Sequence, residues 1–176
     1  LSVLHVTSVA RVLLKETMTR GEVLADTIYL RAANVVAGQA DPWAALAADG
    51  GLRTILESGA VTPTVVHAAI CNADDVAVAA WDPGLEGTRL AAAQDFDALT
   101  RAGSLDQLAG IYAPGGSTFE VRKPLLLGEE KFGTIRVGVN IVFIRAELDG
   151  ELWRVGFVSL VALLIAIVVS ASFAQL

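Results

Sequence analysis

The stretch of sequence that decides the fold is residues 132–141, which read FGTIRVGVNI. Its apolar residues Ile135, Val137 and Val139 alternate with polar or small residues, among them Arg136. Alternation with a period of two is typical of a β-strand that has one buried face. The stretch is therefore predicted to be a strand that lies on a hydrophobic core.

The chain that follows this strand is predicted to be helical and to end in a membrane span. Residues 142–152 place Val142, Ile144 and Leu148 on one helical face, and residues 155–176 contain no charged residue. At ~1.5 Å per residue the uncharged segment is ~33 Å long as a helix, which is enough to cross a hydrocarbon core of ~30 Å. We therefore expect a C-terminal transmembrane helix at residues 153–176.

Composition excludes some classes of protein. The net charge is −6 and the basic residues are scattered, which argues against a nucleic-acid surface. A single cysteine, Cys71, excludes an intrachain disulfide. The chain begins at Leu1 without an initiator methionine, so we expect it to be a piece of a longer protein whose first membrane helix and cytoplasmic part lie outside it.

The first forty residues are predicted to form one long helix. Val6, Val9 and Leu13 recur at helical spacing, as do Leu24 and Ile28. The beginning of this helix is compatible with the end of a first membrane helix, with a dimer-forming extension or with an ordinary core helix. A helix of this length needs a partner surface, and we expect a second copy of the chain to supply it.

The middle of the chain predicts two hairpins. TVVHAAICN and VAVAAW flank a polar turn before Asp82-Pro83-Gly84, and residues 117–127 and 132–141 flank the turn at residues 128–131. Residues 88–103 are predicted to be a mobile loop with one or two helical turns, followed by a capping box at Ser104 and Gln107. The fold class is therefore α+β, with the long helix packed on an antiparallel sheet of about five strands.

The sequence HAAICNADDVAVAAWDP and the later KPLLLGEEKFGTIRVGVNI, between a long helix and an apolar tail, resemble a periplasmic Cache-type (PAS-like) sensor domain. This resemblance covers residues ~20–176. It implies the sensing part of a bacterial histidine kinase or a related receptor. The implied organisation is a helix at residues 1–40, a sensor domain with its exit helix at residues 41–152, and the span at residues 153–176.

Catalytic chemistry has little support in the sequence. There is no H-E-x-x-H, no G-x-S-x-G and no phosphate-binding loop. Cys71 and His67 lie ~13 Å apart if their strand is extended, which is too far for a nucleophile and its base. We expect no catalytic residue, no metal site and no cofactor in this segment.

Two arginines are the leading candidates for a ligand site. Arg122 and Arg136 lie in the two predicted strands of the second hairpin and would reach the exposed face of the sheet beneath residues 88–113 if those strands pair. Paired guanidinium groups suit a carboxylate ligand. The alternative is that both arginines pair with Glu120 or with aspartates of the chain itself.

Three further side chains are candidates for the same site. Tyr112 and Trp81 are candidate pocket walls, with core packing as the alternative. His67 is a candidate pocket-lining donor or pH-responsive group, although a structural sheet histidine is the simpler interpretation.

The predicted function is ligand sensing outside the cytoplasm by a homodimeric transmembrane receptor in the bacterial inner membrane. The expected partners are a small molecule, membrane lipid and a second copy of the chain. The alternative is a membrane-anchored enzyme or assembly factor that uses the apolar tail only as an anchor.

Overall fold

A computed structural model of the protein describes residues 2–59, 64–113 and 118–174. Three helices precede the first two strands, and a short 3-10 turn follows these strands at Pro83–Leu85. The elements, in chain order, are α1 (Ser2–Val36), α2 (Pro42–Ala48), α3 (Gly50–Gly59), β1 (Val65–Cys71), β2 (Ala77–Ala80), β3 (Gln94–Asp95), α4 (Phe96–Arg101), α5 (Ser104–Tyr112), β4 (Thr118–Leu127), β5 (Glu130–Asn140) and α6 (Val142–Ala174). The α+β class with a long N-terminal helix is confirmed.

The five strands form one sheet in the order β2-β1-β5-β4-β3. β5, the strand predicted from the alternation in residues 132–141, lies at the centre between β1 and β4. The β1–β2 and β4–β5 hairpins are antiparallel as predicted. The prediction of a purely antiparallel sheet is wrong, because β3 pairs with β4 in parallel.

The apolar face of the sheet packs against α1. Ile135, Val137 and Val139 of β5 are all buried in the main core. Gly21 lies in the middle of α1, where a Cβ atom would stand 2.9 Å from a methyl carbon of Val121. Gly21 therefore does not break α1 but allows the helix to lie close against the sheet.

The burial pattern of α1 corrects the predicted dimer face. Ile28 and Ala32 are completely buried within the protomer, so the apolar face of the helix packs on its own sheet rather than on a second copy. Val12, Val23 and Leu30 project from the opposite side and are each at least 60% exposed.

α6 follows β5 with only Ile141 between them. The Asn140 side-chain oxygen accepts a hydrogen bond from the Val142 backbone N–H at 2.8 Å, which satisfies one unpaired donor at the helix start. The helix continues without a break through residues 142–174, so the predicted exit helix and the apolar tail form one helix. Within the described parts of the chain, no helix combines the length and apolar character that crossing a membrane requires.

The segment predicted as a loop has more regular structure than expected. The six-residue helix α4 confirms the predicted one or two helical turns, whereas β3 was not predicted. The predicted capping box is wrong, since Gly103 is the N-cap of α5 and makes no side-chain capping bond. The Gln107 amide instead donates to the Thr100 carbonyl at 2.8 Å and connects α5 to α4.

Candidate functional site

The polar side chains of the sheet converge on the face opposite α1. In the β1–β5–β4 register, His67 and Glu120 are both paired with Gly138. Arg122 and Arg136 are paired with each other one row further along the strands. We call His67, Glu120, Arg122 and Arg136 the Glu120 cluster.

Gly138 allows the cluster to form across three strands. A Cβ atom at this position would overlap the imidazole ring of His67. Because Gly138 has no side chain, the ring lies across β5 and brings its Nε2 atom to 3.1 Å from Oε1 of Glu120. A glycine in the central strand therefore lets a side chain of β1 contact one of β4.

Glu120 is the centre of the cluster, and its side chain is only 1% exposed. Arg136 holds it with two hydrogen bonds, from Nη2 to Oε1 at 2.7 Å and from Nε to Oε2 at 3.0 Å. Arg122 Nε donates to Oε2 at 2.9 Å, and His67 contacts Oε1. These four contacts fill the roughly four acceptor positions of a carboxylate.

The contacts also fix the charge of Glu120. Burial by itself raises the pKa of the carboxyl group, but hydrogen bonds from His67, Arg136 and Arg122 outweigh burial and lower the pKa to about 2. A carboxylate that stays ionised and has every acceptor position filled is suited to holding strands together. It is poorly suited to taking up a proton from a substrate.

Arg136 is equally saturated and is 1% exposed. Besides Glu120, it donates from Nη2 to the Ala91 carbonyl and from Nη1 to the Leu90 carbonyl at 3.3 Å. Its Nη1 also lies 3.5 Å from an Asp75 carboxylate oxygen. Burial opposes the positive charge, yet hydrogen bonding and attraction to Glu120 raise the pKa of Arg136 above its ordinary value. All five N–H groups of a guanidinium therefore have acceptors.

Arg122 is the accessible arginine, with a side chain that is 41% exposed. Apart from Glu120, its described contact is a 3.1 Å hydrogen bond from Nη2 to the Ala93 carbonyl. It borders a cavity of about 290 Å³ between α1, α4 and β4, which is lined by Met18, Glu22, Asp95, Asp97, Val121 and Arg122.

The two arginines thus bind main-chain carbonyls of residues 90–93, at the end of a segment that crosses the outer face of the sheet. We call residues 85–93 the covering segment. Its first half is bonded to the edge strand β2, because the Gly87 N–H donates to the Ala77 carbonyl at 2.8 Å and the Ala77 N–H donates to the Thr88 carbonyl at 3.0 Å.

The structure brings together three of the five predicted site residues. His67, Arg122 and Arg136 all contact Glu120, and the pairing of β4 with β5 places the two arginines beneath the covering segment. Arg136 lies on the predicted face of the sheet and beneath residues 90 and 91, where Glu120 and the covering segment bury it. The alternative interpretation, in which Glu120 pairs with both arginines, describes the observed contacts.

Trp81 and Tyr112 lie elsewhere. Trp81 is half-buried and packs against the main core on the α1 side of the sheet. Tyr112, at the end of α5, donates its hydroxyl to Asp149 of α6 at 2.7 Å. Burial and the bond to Asp149 raise the pKa of Tyr112 to about 12.

Arg145 completes the contact between α5 and α6. Its guanidinium carbon lies 5.6 Å from the Tyr112 ring centroid, and its Nε donates to the Ile111 carbonyl at 3.0 Å. A cation against the last carbonyls of a helix also interacts favourably with the helix dipole. Tyr112 therefore attaches the start of α6 to α5 and does not line the Glu120 cluster.

Two residues of the site were missed as functional candidates. Glu120 lies two residues before Arg122 in the same strand, so the sequence indicates that both side chains point to the same face. Its central role depends on the strand register, which the sequence does not show. Gly138 was visible as a glycine two residues after an arginine in an apolar strand. Neither residue belongs to a recognisable motif.

Comparison of the sequence with protein-family models and with curated proteins finds no match. Among the residues whose structure is described, no group of three or more His, Cys, Asp or Glu side chains is arranged to hold a metal ion.

Proposed function

We propose that this chain is the ligand-sensing region of a bacterial transmembrane receptor, of the histidine kinase type that the Cache-like sequence pattern suggests. It binds a small carboxylate outside the cytoplasm, between the outer face of the sheet and the covering segment, and passes a displacement to the membrane through α6. The observation that carries the proposal is the position of Arg136. This residue contacts the covering segment from β5, the strand that leads into α6.

The connection from β5 to α6 is short and stiff. Asn140 ends the strand and caps the helix, and Arg145 and Asp149 attach the first turns of α6 to α5. Because the connection is short and attached to α5, a shift of β5 should move the start of α6 and, with it, the apolar segment. The size of the response is limited by the difference in ligand affinity between the two arrangements.

The membrane location rests on the composition and exposure of α6. Residues 155–176 are uncharged, and the described side chains Trp153, Phe157 and Ile165 are 78%, 61% and 59% exposed in this chain. Large apolar side chains that project on several sides of a helix favour a lipid environment. The receptor would lie in the inner membrane with the sheet outside the cytoplasm.

A homodimer would use the exposed stripe of α1. Val23 and Leu30 follow Val12 by 11 and 18 residues, which correspond to nearly whole turns of an α-helix, so the three side chains lie on one line. In membranes that contain the full-length protein, single cysteines at these positions, in a Cys71→Ser background, should crosslink. A cysteine at the buried position Ile28 should not, and equal crosslinking at all four positions would exclude this interface.

The main test inserts two or three glycines after Asp149 in the full-length receptor. A ligand is first sought by thermal shift of the parent protein against a panel of metabolites, with Arg122→Gln as the variant that should lose the response. The glycine insertion should abolish ligand-dependent output, since glycine lowers helix stability by ~1 kcal/mol per residue. It should leave the thermal shift unchanged.

An insertion of seven helix-forming residues at the same place is the matched control. It keeps the helix rigid and approximately preserves its facing, so it should retain more output than the glycine insertion. If the glycine-inserted receptor responds as the parent does, α6 acts only as an anchor. The anchored enzyme or assembly factor then becomes the better interpretation.

A further inference from the structure

Four small residues form a buried floor on the outer face of β1 and β2. The four floor side chains are at most 1% exposed and form an apolar cluster separate from the main core: Ala69, Cys71, Ala77 and Ala80. Leu85 and Leu90 of the covering segment pack on this floor. Because these side chains are small, a larger apolar group can pack on them, and in this structure Leu85 and Leu90 occupy that position.

The guanidinium groups of the Glu120 cluster reach the same part of the covering segment. Arg136 donates to the carbonyls of Leu90 and Ala91, and Arg122 donates to the carbonyl of Ala93. Each of these bonds joins a charged donor to a neutral acceptor. A carboxylate in place of the carbonyls would accept the same N–H groups and would form stronger, charge-assisted bonds.

We propose that residues 90–93 open as a flap, and that the uncovered floor binds a short aliphatic carboxylate whose alkyl group replaces the Leu90 side chain and whose carboxylate replaces the flap carbonyls. The inference rests on the proposed function and specifies the ligand class of that site. Ligands of the same shape with an ammonium group are disfavoured, because an ammonium group has no acceptor for the guanidinium N–H groups that the flap carbonyls leave.

The flap can open without unfolding the rest of the segment. It is held by the arginine bonds, by the Leu90 N–H donating to the Asp75 carbonyl at 3.0 Å, and by the Leu90 side chain. Residues 85–89 keep their own bonds to β2 through Gly87 and Thr88. Opening is therefore a local movement between two fixed points, because Arg89 is bridged to Val76 and β3 is paired with β4.

Cys71 reports opening directly, because it is the single cysteine of the chain and belongs to the floor. It is completely buried, and burial raises the pKa of its thiol to about 11, so the closed protein should react slowly with a thiol reagent. The measurement is the rate of reaction with 5,5′-dithiobis(2-nitrobenzoate) at pH 8, in the full chain in detergent or nanodiscs.

The first comparison removes the side chain that covers the floor. Leu90→Ala should speed the labelling of Cys71 at least tenfold over the parent. Leu24→Ala is the matched control, because Leu24 is also a half-buried leucine but packs against the core from α1. Leu24→Ala should increase the labelling rate only by the amount expected from its lower free energy of unfolding, which is measured in urea. If Leu90→Ala labels no faster than Leu24→Ala, the flap is refuted.

The second comparison tests the ligand class. Isovalerate is the leucine side chain carrying a carboxylate, so at millimolar concentration it should slow the labelling of Leu90→Ala severalfold. Isobutylamine has the same branched alkyl group with a positive charge and should give no protection. Equal protection by both compounds, or by neither, overturns the assignment of a carboxylate site.

The result is independent of the signalling test. Protection by isovalerate in a receptor that tolerates the glycine insertion would retain the binding site and reject the sensor function. Normal uncoupling by the glycine insertion without accelerated labelling of Leu90→Ala would retain the sensor and reject the flap.

Discussion

The ion pair between Glu120 and Arg136 gives the sharpest test of how the outer face is held together. In Glu120→Gln, an amide NH₂ replaces one oxygen and faces the donors of Arg136 and its neighbours. In Arg136→Met, the Glu120 carboxylate stays buried with its main partner removed. Breaking a buried pair by removing one member typically costs ~3–5 kcal/mol, a large part of the ~5–15 kcal/mol total stability of a domain.

The pKa of Glu120 gives an independent value for the stabilisation that its hydrogen bonds and ion pairs contribute. Its pKa falls from the ordinary 4.5 to about 2 in the folded protein, a difference of ~2.5 units or ~3 kcal/mol. Because the folded-state pKa is depressed, this stabilisation is fully present above pH ~4.5 and is lost as the pH falls towards 2. The parent should therefore lose ~3 kcal/mol more than Glu120→Gln over that range of pH.

The assay is urea unfolding followed by tryptophan fluorescence, at pH 7 and at several values between pH 5 and 2. The double variant Glu120→Gln/Arg136→Met should lose ~2–3 kcal/mol less than the sum of the single losses, because both buried charges are then absent. Glu16→Gln is the control, since Glu16 pairs with Arg20 at the exposed surface, and its effect should stay within ~0.5 kcal/mol. Additive losses, or the same pH dependence in the parent and in Glu120→Gln, would refute the reasoning.

Three other predictions concern local contacts. Gly138→Ala should lower the free energy of unfolding in urea by ~2–4 kcal/mol, since the new methyl group displaces the His67 ring, and adding His67→Ala should recover part of the loss. Tyr112→Phe should lower stability by ~1 kcal/mol, and the phenol that ionises near pH 12 in a rapid ultraviolet titration should disappear. Gly150→Ala should raise the thermal stability of α6 by up to ~1 kcal/mol, because the added methyl group meets no atom within 4 Å, and circular dichroism melting would show no rise if this helix were already fixed by its surroundings.

The parts of the fold that were predictable from sequence are those fixed by local patterns. The alternation in β5 predicts a strand because a period of two matches the pleat of a strand and not the 3.6-residue turn of a helix. The start of α2 is equally local, since the Asp41 carboxylate accepts from the Ala44 N–H at 3.1 Å and Pro42 occupies the first helical turn. β3 was not predictable, because a strand of two residues is too short to have a period.

The periodicity of α1 identified the buried face but not the surface that covers it. Apolar residues at helical spacing are equally consistent with packing on a sheet and with packing on a second helix. The close approach of Gly21 to Val121 depends on the position of β4, which lies about a hundred residues later in the chain. Only the assembled fold shows that the protomer covers this face itself.

The candidate site was predictable to the level of strand pairing and no further. Pairing of the last two strands implied that Arg122 and Arg136 are neighbours. Whether the guanidinium groups of these arginines are free or paired depends on the strand register. The register places Glu120 next to the arginines, and it places Gly138 between Glu120 and His67. A shift of one residue would send Glu120 to the other face of the sheet, so no composition argument decides this point.

The proposed signal from the outer face to α6 depends on the same register. Along β5, Arg136 points to the covering segment while Val137 points to α1, so both sides of the sheet bear on one strand. A buried ion pair adds little net stability compared with apolar residues of similar volume, but its geometry is demanding. In the proposed receptor, a ligand carboxylate that replaces the flap carbonyls would change these partners of Arg136 and leave its pair with Glu120 intact, and Asn140 would transfer the resulting shift of β5 to the first turn of α6.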